Sequence, residues 1–126
     1  MKLLEITKLL ITEIASLNDV QKSIRDKNVV IVYYNGDIPG GKGLRRIEPV
    51  CVGYSKAGNL VLRAWDLDGA SHTDTTGEQP LPGWRLFRLD KIFTYKSTPD
   101  KFSQVRPNYN PNGDKSMKKV ILNAKF

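Results

Sequence analysis

Apolar residues recur at Leu3, Ile6, Leu10, Ile14 and Leu17, at spacings of three and four that bring them to one side of an α-helix. Leu4 and Ile11 widen the stripe. Asn18 and Asp19 are candidate caps for a second, short helix from Val20 to about Lys27, because a side-chain oxygen there accepts an orphaned backbone N–H. Val20 and Ile24 form its buried side. The chain therefore opens with two helices, or one broken helix. The first stripe serves either the chain's own core or a dimer.

From Val29 the period changes. VVIVYY is a continuous β-branched and aromatic run, the pattern of a strand buried on both faces. NGDIPGGKG then reads as a loop, followed by a strand from Leu44 to Tyr54 that carries Arg45 and Arg46. Pro49 has no N–H to donate, which places this strand at an edge or puts a bulge in it. SKAGN is a turn, and Asn59–Trp65 is a third strand with Leu60, Leu62 and Ala64 on one face and Val61, Arg63 and Trp65 on the other. The polar stretch DLDGASHTDTTGEQPLPG has no core positions. Trp84–Leu89 and Ile92–Tyr95 complete five short strands, whose close spacing points to a small barrel or a strongly bent sheet. The class is mainly β with N-terminal helices (α+β), in three segments: helical 1–27, β-rich 28–96 and a basic extension 97–126 that ends in a possible short strand, KKVILNAKF.

The length of 126 residues fits one compact domain, and 40% hydrophobic with 26% charged residues is neither a membrane nor a disordered composition. No apolar run approaches the roughly 18 residues needed to span a bilayer. Glu5, Lys8 and Glu13 interrupt the N-terminal apolar stretch, which favours a mature helix over a signal peptide. One Cys and one His exclude an internal disulfide and a His/Cys zinc cage. A soluble, cytoplasmic protein with no membrane partner and no cofactor is expected. The net charge of +7 is uneven: +1 over residues 1–27, +2 over 28–96 and +4 over 97–126. Such an excess raises affinity for polyanions through counterion release.

Several residue groups invite a chemical reading. Gly36 to Gly43 nearly spells a phosphate-binding loop after a hydrophobic strand, but Gly43 stands where Ser or Thr must hold Mg²⁺, and no helix start follows. His72 lies near Ser71, Asp74 and Glu78 in one Gly/Thr-rich loop, without a rigid element to fix catalytic geometry. Cys51, between Val50 and Val52, reads as a buried, inert thiol. No enzyme is expected. Arg63 and Trp65 share a strand face and make a stacking platform for a base, unless Trp65 fills the core. In the extension, Arg106, Lys115, Lys118, Lys119 and Lys125 track a phosphate backbone with Tyr109 stacking, or KKVILNAKF adds a strand to a neighbour's sheet edge and builds a homo-oligomer.

Trp84-Arg85-Leu86-Phe87-Arg88-Leu89-Asp90-Lys91-Ile92 resembles the signature of WYL domains: an arginine, an aromatic, a second arginine and a Leu-Asp-Arg-Ile turn, in that order. Arg45-Arg46-Ile47-Glu48-Pro49 is similar to that family's Arg-x-Val-x-Pro strand, and Asn18 to Tyr34 to its short helix leading into a strand ending in Tyr. The resemblance covers roughly residues 18–96. The family's Trp-Tyr-Leu tripeptide falls at Leu60-Val61-Leu62, where only the last residue is kept.

The resemblance implies a small five-stranded SH3-like or Sm-like barrel that binds nucleic acids or nucleotides, often as a regulator or accessory protein. It places the ligand on Arg45, Arg85, Arg88 and Lys91, the last as Lys for Arg. Arginine suits that role because its planar fork gives phosphate two parallel hydrogen bonds. The expected function is a non-enzymatic module for single-stranded nucleic acid or a nucleotide. The alternatives are an assembly subunit of phage type, joined through the N-terminal helix and the tail, and a sponge for a signalling nucleotide.

Overall fold

A computed structural model describes residues 15–35, 42–69, 82–110 and 117–126. The apolar stripe over residues 1–14, most of the Gly-rich loop, His72 and Lys115 lie outside these residues.

Helix α1 spans Leu17–Asp26. Its cap is Ser16, whose Oγ accepts from the Asp19 backbone N–H at 3.1 Å, rather than Asn18 or Asp19. Asp19 instead sits in the first turn, where its charge complements the positive end of the helix dipole. The helix stops at Lys27, whose left-handed conformation (φ 53°) turns its N–H back to the carbonyls of Ser23 and Ile24. Val20 and Ile24 are fully buried, as their spacing requires.

Among the described residues six strands follow: β1 Asn28–Asn35, β2 Lys42–Ser55, β3 Leu60–Gly69, β4 Gly83–Arg88, β5 Ile92–Lys101 and β6 Met117–Asn123, with a 3-10 turn at Leu89–Lys91. They form one antiparallel sheet in the order β4-β3-β2-β1-β5. The sheet is open, because β4 and β5 end the order. β2 holds it together: β3 runs along one flank, while β1 pairs with the other up to Ile47 and β6 takes over from Cys51. Pro49 falls in that gap, where the ladder to β3 also shifts register, so the missing N–H marks a bulge.

Three sequence expectations change. β1 is not buried on both faces: Val30 and Val32 are fully buried while Ile31 and Tyr33 are 38% and 39% exposed. β5 runs six residues past Tyr95, because an edge strand tolerates Pro99 and needs only one apolar face. The KKVILN part of KKVILNAKF pairs with β2 of its own chain within β6. The 97–126 segment also lends Phe102 and Ala124 to the core, alongside Val20, Ile24, Ile47, Val52, Leu62, Phe87 and Ile92. Gly53 is required at the β2–β6 crossing, since a Cβ there would run into the Lys119 carbonyl oxygen. No described helix is long and apolar enough to cross a membrane.

Candidate nucleic-acid interface

The fold does not present the four residues that the family resemblance groups on one exposed surface. Arg45 faces inward with Ile47 and is 5% exposed. Its Nη1 donates to Asp66 Oδ2 at 2.7 Å, and its guanidinium lies over the rings of Tyr34 and Phe87 at 5.5 and 5.3 Å. This buried cation holds the sheet interior together and does not reach a surface ligand. Arg85, opposite Ala64 on the inward face, is half-buried and donates to the Trp84 carbonyl at 2.8 Å. Arg88 is on the outward face opposite Val61, and its Nε and Nη2 clamp Asp90 at 3.0 and 2.6 Å. Strand alternation ends at Arg88, so Lys91, inside the 3-10 turn, does not continue the Arg85–Phe87 face as a regular strand would require.

The Arg63–Trp65 platform is present but covered. Trp65 meets Trp84 edge-on at 5.2 Å, Trp84 stacks on Tyr109 at 6.2 Å, and Tyr109 meets Phe126 edge-on at 5.4 Å. Arg106 lies over Trp65 at 5.5 Å and clamps the buried Glu48 through Nε and Nη2 at 2.9 and 2.7 Å. Trp84 Nε1 donates to the Pro107 carbonyl at 2.6 Å. Residues 106–109 therefore lie across this side of the sheet, with Arg106 anchored on Glu48 and Trp65. Arg63 is half-buried opposite Cys51, and burial lowers the pKa of its guanidinium. Lys118 and Lys119 are exposed on β6.

A different surface is open. On the outward face of β2-β1-β5, cross-strand pairing sets two rows side by side: Arg46–Ile31–Lys96 and Leu44–Tyr33–Phe93. Leu44 is 61% exposed, with Ile31 and Tyr33 beside it. The second row depends on Thr94, a β-branched residue at φ 57°. The bulge there shifts the β1–β5 register, so Phe93 and Lys96 both face out. Tyr95 turns inward, and its O–H donates to Ser23 Oγ at 2.7 Å, because the Ser23 proton is already given to the Val20 carbonyl. Burial pushes the Tyr95 phenol well above its ordinary value.

Beside Lys96 a cavity of about 380 Å³ opens between α1 and β5. Asp19, Lys22 and Asp26 line it from the helix, and Asn28, Tyr95, Lys96, Ser97 and Lys101 from the strands. Lys101 Nζ is held by Asn28 Oδ1 at 2.8 Å and the Asp26 carbonyl at 3.1 Å.

Sequence reasoning missed Tyr33, Phe93, Lys96 and this cavity. Assigning the whole VVIVYY run to the core hid the outward residues, although Arg46 two positions from Leu44 hinted that the neighbouring strand had a wet face. No group of three His, Cys, Asp or Glu side chains among the described residues could hold a metal ion. No family model matches the chain, and no curated protein or solved structure is similar enough to match it.

Proposed function

We propose that the chain is a non-enzymatic binding module of WYL type, built as an SH3-like or Sm-like small barrel, that holds single-stranded nucleic acid on the outward face of β2-β1-β5. The long β2, shared by β1, β3 and β6, and the 3-10 turn between β4 and β5 support the reading of a small barrel that is left open between β4 and β5. One observation carries the functional reading: Tyr33 and Phe93 stand side by side on an open face, next to a row that ends in Arg46 and Lys96. Aromatic faces stack on any base, and flanking cations attract the backbone, which is how strands are gripped without sequence preference. The ligand site therefore moves from Arg45, Arg85, Arg88 and Lys91 to this face. Tail-mediated assembly is the second reading, with β6 paired to β2 of its own chain.

The test is fluorescence anisotropy with a labelled oligothymidine from 50 to 300 mM salt. Tyr33→Ala/Phe93→Ala is expected to weaken binding about 10- to 100-fold, the stacking of one or two bases. Arg46→Ala/Lys96→Ala is expected to flatten the salt dependence by one to two counterions. Undiminished affinity in both variants, or no binding of the parent protein at 50 mM salt, refutes the assignment.

A further inference from the structure

We infer that the α1–β5 cavity is a site for a terminal phosphate, a phosphomonoester at the end of a bound strand or on a free nucleotide. This rests on the binding reading above, since Lys96 belongs to both the open face and the cavity wall.

The volume of about 380 Å³ lies at the small end of ligand pockets, room for one nucleotide and not for a folded partner. Three lysines, Lys22, Lys96 and Lys101, line it. Lys101 is oriented in advance by Asn28 and the Asp26 carbonyl, which limits the side-chain freedom lost on binding. Lys22 and Lys96 have no side-chain partner among the described residues, so their protons are available. Ser97 adds a hydroxyl.

Two carboxylates, Asp19 and Asp26, share the wall, so the lining carries a net charge of only +1. That excess is too small to hold any anion by charge alone, and selection falls to the placement of donors. An internal phosphodiester offers two free oxygens and one negative charge. A monoester offers three oxygens and, above its second pKa of about 6, nearly two charges. Three ammoniums and a hydroxyl match the monoester better, and the carboxylates accept from sugar hydroxyls or a base amino group. Tyr95 closes the floor and is not a ligand group, because its hydroxyl is committed to Ser23.

The experiment compares a labelled oligothymidine bearing a 5′-phosphate, a 3′-phosphate or neither, with thymidine monophosphate as competitor, on the parent protein and on Lys22→Ala/Lys101→Met. A preference of about tenfold for one phosphorylated end is expected, about one charge-assisted hydrogen bond. The variant should lose that preference while keeping the parent's affinity for the unphosphorylated strand. The preference should also fade below about pH 6 as the monoester takes up a proton. Equal binding of all three strands overturns the cavity assignment and leaves the open face standing. Binding of the monophosphate in direct calorimetry, with no binding of any strand, keeps the cavity, makes the free nucleotide its ligand and removes the open face. A preference that survives the double variant places the phosphate elsewhere and overturns the inference, as does failure of every probe to bind.

Discussion

Breaking the Arg45–Asp66 pair tests whether Arg45 serves the fold or a ligand. The side chains are 4% and 0% exposed, so solvent screens little of the interaction and the loss of one partner leaves a charge stranded in the interior. Arg45→Met or Asp66→Leu alone is therefore expected to cost about 3–5 kcal/mol. Arg45→Met also forfeits the cation–π contacts to Tyr34 and Phe87, so it should fall at the upper end. For a domain of this size such a loss lowers Tm by roughly 10–20 °C and takes a large part of a total stability of about 5–15 kcal/mol. The double variant replaces the pair with apolar side chains and should recover most of the loss, because paired removal of a buried ion pair is often neutral or stabilising by about 1–4 kcal/mol. Urea unfolding of the parent, both single variants and the double variant gives the four energies, and oligonucleotide anisotropy on the double variant gives the second readout. The double variant should bind as the parent does. A single-variant loss under about 1 kcal/mol, or a double variant that folds well and no longer binds, refutes the structural role and returns Arg45 to the ligand site.

Three further outcomes are expected. Thr94→Gly should raise stability by about 1 kcal/mol, read as a higher urea midpoint at unchanged slope, because a β-branched residue at φ 57° is strained where glycine is not. Arg106→Ala leaves the buried Glu48 without its clamp and should cost about 1–3 kcal/mol, with faster proteolytic cleavage within residues 102–110. Cys51, 1% exposed and with its thiol pushed up to about 11 by burial, should react with a disulfide reagent at pH 8 only as the protein unfolds. By linkage, the folded state holds this proton while the unfolded thiol loses it near 8.5, so stability should fall as pH rises from there towards 11.

Much of this architecture was legible because its period was local. Val20 and Ile24 at helical spacing, the alternation Leu62–Ala64 and the proline at 49 each carry their cause in a few neighbouring residues, and each appears where the pattern puts it. What could not be read depended on partners far along the chain. Arg45 looks like a surface cation in sequence; only pairing with Val32 and the approach of Asp66, 21 positions on, turn it inward. Arg106 reads as a free basic residue until Glu48 meets it across 58 positions. Phe93 faces out because Thr94 adopts a conformation that β-branched residues seldom take, which no propensity scale anticipates. The arginines that the family resemblance groups act one by one: one in the interior, one half-buried, one clamped on Asp90.

β2 also has a temporal aspect. Its second half, Cys51 to Ser55, waits for β6, which begins about 60 residues later. At a synthesis rate of about 5–20 residues per second, that half of the strand stands with one bare hydrogen-bonding edge for several seconds as the chain emerges. An unpaired edge of apolar residues invites pairing with other chains. Pairing of β6 with β2 therefore sets the interval in which the nascent protein is vulnerable, and a truncation before Met117 would make that interval permanent.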